Sequence, residues 1–163
     1  MSLKTKFIFK PIGIIHSPYK EPSGTPIQTI YSDNAIATVE IFDEFTEGLD
    51  DIEKFSHIYL IYVFDRSHRF ELKIKPFLDN KTHGVFTTRA PNRPNPIGLS
   101  IVRLINRKKN ILTIKEIDIF DKTPLLDIKP FIPFWDNRMK VKTGWLTEKM
   151  KKTKKYFSDN RFK

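Results

Sequence analysis

The chain has 163 residues, with 29 Lys or Arg against 19 Asp or Glu, which gives a formal net charge of +10. Apolar residues make up 39% of the sequence and include 14 Phe, so we expect one domain with a real core rather than a disordered chain. Because there is no Cys, disulfides, zinc–thiolate sites, iron–sulfur clusters and thiol nucleophiles are excluded. No transmembrane run and no secretory signal is visible, so we expect a cytoplasmic protein that does not enter a membrane.

The positive charge is concentrated near the C-terminus. Residues 138–163 hold ten basic and two acidic residues, whereas residues 1–137 hold 19 and 17. We therefore divide the chain into a main domain at 1–137 and a basic C-terminal extension at 138–163. Lysine-rich segments attract phosphates whatever the base sequence, so the extension predicts a nucleic-acid partner. A merely solubilising tail is the alternative.

In chain order, most apolar runs have the length and residue types of strands. A short helix is predicted at 45–55 and a basic helix at 143–157, the latter with Trp145, Met150 and Phe157 as its apolar residues. The run at 58–64 is apolar throughout, which is typical of a strand buried on both faces. The helices that alternate with strands in a doubly wound sheet are missing, so we predict an all-β fold, either a single small barrel with short helices or a strongly bent sheet. The predicted strands are 7–15, 35–42, 58–64, 84–88, 99–105, 111–119 and 125–132.

The segment 83–99, HGVFTTRAPNRPNPIGL, combines a stiff backbone with cationic and amide side chains. Its three prolines restrict the backbone around Arg89, Asn92, Arg93 and Asn95. A rigid loop of this kind loses little entropy when it binds an anion. The alternative is a structural turn whose arginines pair with surface carboxylates.

A second polar segment places Asp118, Asp121 and Asp127 among apolar residues. Buried carboxylates are costly unless they are paired, so they either balance nearby cations or hold ribose hydroxyls or a ligand cation. The four histidines show no metal-ligand spacing, so no metal site is predicted. Phosphate-binding glycine loops and the Gly-x-Ser-x-Gly motif of serine hydrolases are also absent.

Five sequence blocks follow one another along the chain: GIIHSPY at 13–19, PIQ at 26–28, FSHI at 55–58, the whole of 83–99, and TPLLDIKPF at 123–131. In this order they resemble the TsaA-like family, the TrmO tRNA methyltransferases. The resemblance implies a small β-barrel that binds S-adenosylmethionine (SAM), and a homodimer with the cofactor near the subunit boundary. The implied reaction is methylation of the N6 nitrogen of threonylcarbamoyl-adenosine at position 37 of tRNA.

The resemblance assigns cofactor binding to four places along the chain. These are Pro26, Ile27 and Gln28; Asp65 and Arg66; Arg89 and Leu99; and Asp118 and Ile119.

Catalysis of methyl transfer asks for further groups. In the implied substrate the acceptor nitrogen carries a proton and a delocalised lone pair, so a base or a stabilising charge would assist. Asp127 and His83 are our candidates for the base, and Lys129 and Arg93 for the charge. A SAM-binding module without catalysis and a non-catalytic RNA-binding protein stay open as alternatives.

Two positions depart from the family pattern, and the extension raises a further alternative. Lys122 stands where the family commonly has Gly, and Phe131 where Tyr is usual. The extension either engages tRNA phosphates or packs as a structural helix. Phe134, Trp135 and Trp145 exceed what a small core can absorb, so we expect some of them to cover a partner subunit.

Overall fold

The computed structural model describes residues 6–32, 35–149, 156–159 and 162, and most of its regular structure is β-strand. The strands are β1 (Gly13–His16), β2 (Ile36–Ile41), β3 (His57–Val63), β4 (Lys73–Ile74), β5 (His83–Gly84), β6 (Ile97–Lys108), β7 (Ile111–Lys115) and β8 (Thr123–Pro130). Six of them close a barrel in the order β1-β2-β7-β6-β3-β8, while β4 and β5 form a separate two-stranded sheet. All pairs are antiparallel. The prediction of a mainly β barrel is confirmed.

Alternating side chains fill the barrel. Along β6, Gly98, Ser100, Val102 and Leu104 are buried, while the residues between them are exposed. This period of two separates an inner face from an outer wall on each strand. Closure also removes the free strand edges that would otherwise invite pairing with another chain. The largest fully buried side chains are Ile15, Ile41, Ile58, Leu60, Leu112, Ile114, Ile117 and Leu125.

The first and third predicted strands differ from the observed ones. Residues Phe7 and Ile8 are exposed and outside any strand, and β1 begins only at Gly13, after Pro11. A Cβ at Gly13 would lie 2.2 Å from the Glu40 carbonyl oxygen, so the close approach of β1 to β2 requires glycine there. The expectation that 58–64 is buried on both faces is wrong. In β3 the inward side chains are buried and the outward ones only half-buried, because the outer wall of a barrel faces away from the core.

Three further predicted boundaries need correction. The helix predicted at 45–55 is two 3-10 helices, Asp43–Leu49 and Ile52–Lys54, separated by a left-handed Asp51 with φ of 67°. The strand predicted at 111–119 ends at Lys115, because Glu116 is also left-handed with φ of 64°. The strand predicted at 84–88 is instead a 3-10 helix over Val85–Thr87.

The α-helices are short: α1 (Pro133–Asp136) and α2 (Leu146–Lys149). Within the basic helix predicted at 143–157, only α2 is α-helical among the described residues, and 150–155 lie outside them. The prediction is wrong at Phe157, which forms an antiparallel bridge with Pro26. In the described part of the chain, no helix is long and apolar enough to cross a membrane.

The antiparallel order gathers three connections at one end of the barrel, which we call the upper end. They are residues 17–35 between β1 and β2, 64–96 between β3 and β6, and 116–122 between β7 and β8. The connections at 42–56 and 109–110 lie at the opposite end. Segments far apart in the sequence therefore converge at the upper end.

Lys122, which stands at the family's usual glycine position, holds the turn at a conformational cost. Its φ is 65°, and its backbone N–H donates to the Ile15 carbonyl oxygen at 2.8 Å. The left-handed region costs an L-residue with a side chain roughly 1–2 kcal/mol. The turn that glycine would adopt freely is thus kept with lysine in place.

We predict that Lys122→Gly raises the free energy of unfolding by about 1 kcal/mol, because glycine has no Cβ to strain the left-handed backbone. Urea denaturation at pH 7 measures the effect. Lys122→Ala is the matched control, since it also removes the charge but keeps a Cβ, and should give no gain. Equal stabilisation by both substitutions would mean that charge, not backbone strain, is the cause.

Candidate functional site

The upper end brings together three residues from its three connections: Gln28, Arg89 and Asp118. The Arg89 guanidinium donates from Nη1 to Gln28 Oε1 at 2.8 Å, although 61 residues separate them in sequence. The Arg89 side chain is exposed, and its positive charge acts on the Asp118 carboxylate by lowering that group's pKa. A solvent-accessible cation therefore lies within electrostatic range of a carboxylate at the mouth of the barrel.

A short hydrogen-bond chain runs from Asp118 into the barrel. Ser100 Oγ donates to Asp118 Oδ1 at 2.7 Å, and the Tyr62 hydroxyl lies 3.1 Å from Ser100 Oγ. Since Ser100 commits its proton to the carboxylate, Tyr62 donates to Ser100. Burial raises the pKa of Asp118 to about 6, against the opposing effects of the Ser100 hydrogen bond and Arg89. Burial, with Asp118 nearby, also raises the pKa of Tyr62 above its ordinary value.

Gly98 determines where the Tyr62 ring lies. The two residues face each other across β3 and β6, and a Cβ at Gly98 would lie 2.2 Å from a Tyr62 ring carbon. Any larger residue at 98 would displace the ring and with it the hydroxyl that reaches Ser100. Tyr62 and Ser100 were not singled out from the sequence. A signal was present, since each is a polar side chain at an inward position of an otherwise apolar strand.

The guanidinium of Arg66 is already hydrogen-bonded to backbone carbonyl oxygens of the protein. It donates from Nη1 to the Lys20 carbonyl oxygen and from Nη2 to the Asp121 carbonyl oxygen, both at 2.8 Å. Its guanidinium also lies over the Phe120 ring, 5.2 Å from the centroid. In this arrangement Arg66 ties the connections at 17–35 and 116–122 together.

The other residues that the resemblance assigned to the cofactor are distributed around the same end. Pro26 and Ile27 lie in the loop of Gln28, and Asp65 is exposed just beyond β3. Ile119 packs in the core, and its carbonyl oxygen accepts from Ser17 Oγ at 2.6 Å. Leu99 differs, because its side chain lies on the outer wall, 53% exposed, whereas Ser100 points inward.

The four candidate catalytic residues do not converge. Asp127 and Lys129 form an ion pair of 2.9 Å on the outer wall, where they face Ile61 and Tyr59 of β3. The Arg93 guanidinium donates to the carbonyl oxygens of Thr88 and Ala90, within its own loop. Of the four, Asp127 lies in the same row across the strands as Leu99, since both pair with Ile61.

His83 lies in a separate cluster on the connection at 64–96 between β3 and β6, which we call the excursion. Its Nε2 is 3.1 Å from Asp79 Oδ2, and the Trp145 ring stacks on it with centroids 4.4 Å apart. The hydrogen bond from His83, together with Lys149, lowers the pKa of Asp79 despite the opposing effect of burial. The cluster therefore holds α2 against the excursion. No group of three or more His, Asp or Glu within the described residues is arranged to hold a metal ion.

The family model described as the tRNA-methyltransferase O N-terminal domain matches residues 14–137. The chain belongs to the TrmO family. Its barrel superimposes on a crystal structure of TrmO from Pseudomonas aeruginosa with a TM-score of 0.73 at 35% identity. That match covers 86% of this chain and 62% of the TrmO chain, so this chain spans somewhat less than two thirds of the solved protein.

Two further relatives bear on function. A probable S-adenosyl-L-methionine-binding protein of Pyrococcus abyssi is 53% identical over 162 residues, which is 99% of this chain and 88% of that protein. A tRNA (adenine(37)-N6)-methyltransferase of mouse is 34% identical over 135 residues, covering 78% of this chain and 31% of that protein.

We predict that Asp118→Asn stabilises the protein at neutral pH but not in acid. A carboxylate whose folded pKa is raised lowers stability once it ionises, so its cost is present above pH 6 and vanishes below about pH 4. Urea denaturation at pH 7.5 and pH 4 should show a gain of roughly 1–2 kcal/mol at the higher pH only. Asp127→Asn, on the outer wall, is the control and should show no such difference. An equal gain at both pH values would contradict the account.

Proposed function

We propose that the protein is a SAM-dependent methyltransferase that acts on the N6 nitrogen of threonylcarbamoyl-adenosine at position 37 of tRNA. The observation that supports this most directly is the convergence of Gln28, Arg89 and Asp118 at one end of a TrmO-type barrel. The names of the archaeal and mouse relatives support SAM as the cofactor and tRNA as the substrate class.

The residues at the upper end fit the charges of SAM. Its α-carboxylate needs a cation with free donors, and Arg89 is exposed and donates from one guanidinium nitrogen, Nη1, to Gln28. Its α-ammonium or ribose hydroxyls need an acceptor, and Asp118 offers a half-buried carboxylate oriented by Ser100. Because Arg66 already donates to two backbone carbonyls, we assign the carboxylate to Arg89.

The cofactor, when bound, supplies a methyl group already activated on a sulfonium, so positioning of the acceptor does most of the work. Of our two base candidates, Asp127 is the better placed. It shares the outer wall with Leu99, and its partner Lys129 holds positive charge beside it. The His83 ring, by contrast, is covered by Trp145 and bonded to Asp79. We therefore propose Asp127 as the group that accepts the proton from the acceptor nitrogen.

Incubation with SAM and tRNA, followed by mass spectrometry of the nucleosides, tests the function. We predict a methyl group on threonylcarbamoyl-adenosine and none on unmodified adenosine at the same position. A protein that binds SAM but methylates neither tRNA is a SAM-binding module. One that binds tRNA without SAM is an RNA-binding protein, and either result rejects the proposal.

Calorimetry tests the cofactor site by itself. Loss of a charged hydrogen bond costs about 1.5–3 kcal/mol, so we predict that Arg89→Ala weakens SAM binding by about 10-fold to 150-fold. Arg69→Ala is the matched control, because Arg69 is an exposed arginine on the same excursion and should leave the affinity unchanged. Unchanged affinity in Arg89→Ala would remove Arg89 from the site.

We further propose that the protein is a homodimer that associates through the outer wall of β3 and β6. Ile101 and Leu99 are exposed there, and the ring of Phe131 packs on Tyr59 at the adjoining edge, with centroids 5.6 Å apart. Trp135 is 62% exposed just beyond β8. Trp145, one of the three aromatic residues of which we expected some to cover a partner, packs on His83 within the chain. A dimer through this wall places Leu99 and Asp127 at the subunit boundary.

Sedimentation velocity at micromolar concentration tests the dimer. We predict that the wild-type protein sediments as a dimer and that Ile101→Glu sediments as a monomer, because a buried unpaired carboxylate is costly. Ile36→Glu is the control, since Ile36 is an exposed isoleucine of β2, on the opposite side of the barrel. A monomeric wild-type protein would reject the dimer.

A further inference from the structure

The described part of the C-terminal extension contacts both of the long connections that carry the candidate cofactor residues. We call its two contacting parts together, 156–158 and 145–149, the C-terminal clasp. The first part lies on the loop of Gln28, and the second part lies on the excursion that leads to Arg89. The core of the barrel is built without either part.

The first part pairs with the Gln28 loop through an antiparallel bridge between Phe157 and Pro26. Ile27 N donates to the Tyr156 carbonyl oxygen at 3.3 Å, and Ser158 N donates to the Thr25 carbonyl oxygen at 2.8 Å. Ser158 Oγ also donates to the Pro22 carbonyl oxygen. The Tyr156 ring meets Tyr31 edge-on, with centroids 5.8 Å apart, which adds a side-chain contact to these backbone bonds.

From this pairing, a continuous hydrogen-bond path leads to Arg89. Ile27 donates its N–H to Tyr156, and the Ile27 carbonyl oxygen accepts from Gln28 Nε2 at 2.7 Å. That bond fixes the orientation of the Gln28 amide, so its Oε1 faces Arg89 Nη1 at 2.8 Å. The backbone of the clasp thus orients, through one loop residue and one side chain, the guanidinium assigned to the cofactor.

The second part holds the excursion from its other side. Trp145 Nε1 donates to the Thr87 carbonyl oxygen at 3.0 Å, two residues before Arg89. The Trp145 ring stacks on His83, and Lys149 Nζ lies 3.2 Å from Asp79 Oδ1. Both cofactor connections are therefore fixed by the same C-terminal segment.

We propose that the C-terminal clasp is the positioning element of the cofactor site: it holds Gln28 and Arg89 in their binding arrangement before SAM arrives. The physical reason is entropic. Connections of this length lose conformational freedom when a ligand orders them, and prior ordering removes that cost from binding. The inference rests on the proposed cofactor and not on the tRNA substrate or on methyl transfer.

A double-mutant cycle with SAM in calorimetry tests the proposal. Deletion of residues 156–163 should weaken SAM binding at least 10-fold in the wild-type background, because Arg89 is no longer oriented. In the Arg89→Ala background the same deletion should cost less than 3-fold, since the residue that it positions is gone. A merely structural role would weaken binding by the same factor in both backgrounds, and that result, or no loss at all, overturns the proposal.

Point variants keep the test decisive if the deletion does not fold. Ser158→Pro removes the N–H that bonds Thr25 and should reproduce the non-additive loss. Ser158→Ala, the matched control, removes only the hydroxyl bond to Pro22 and should stay within 2-fold of wild type. A loss in Ser158→Pro that is additive with Arg89→Ala also overturns the positioning role.

Hydrogen exchange without ligand separates this inference from the proposed function. In Ser158→Pro, the amide of Ile27 should exchange faster, because the bridge that holds it is broken, while β3 and β6 keep the protection of the wild-type protein. Unchanged exchange at Ile27 would overturn the clasp even in a protein that binds SAM. If the wild-type protein binds no SAM, the cofactor proposal fails, and with it the positioning role.

Discussion

In a closed antiparallel barrel each strand enters at one end and leaves at the other, so alternate connections must meet at the same end. This constraint accounts for the meeting of the three candidate residues that lie in connections. Gln28, Arg89 and Asp118 belong to three connections, and the antiparallel pairing of the strands around the apolar core brings these connections together. The sequences of the connections do not have to specify that the connections meet, because the paired strands of the barrel fix where each connection begins and ends.

The interior of the barrel also determines the chemistry at its mouth. Asp118 lies where the apolar core meets solvent, and desolvation holds its pKa near 6 while Ser100 and Arg89 favour its charged form. The carboxylate is therefore ionised at neutral pH at some cost in stability. Functional sites often retain such costs, since a preorganised charge serves a ligand better than a relaxed one.

The arginine side chains near the site are of two kinds: some hold the protein's own loops together, and one is exposed and can bind a ligand. Arg66 and Arg93 donate to backbone carbonyls and hold loops together, whereas Arg89 is exposed with its guanidinium oriented by Gln28. Three arginines of the connection at 64–96 thus have different structural roles. The clasp adds to this division, because the described ends of the basic extension pack on the two cofactor connections as well as carrying charge.

The amino-acid sequence by itself determined the fold class, since alternating β-branched runs without intervening helices suit only a barrel or a bent sheet. The resemblance carried by its five blocks led to the TrmO family. It assigned Gln28 and Arg89, inside the blocks, and Asp118, outside them, to the cofactor. Only the tertiary structure decided which groups meet. Tyr62 and Ser100 join Asp118 because strand register places them on one inner face, and period-two alternation cannot say which face is inside. Asp127 and Lys129 fall on the outer wall for the same reason, opposite Ile61 and Tyr59. Local sequence also missed the left-handed backbone of Asp51, which separates two 3-10 helices where one helix was predicted.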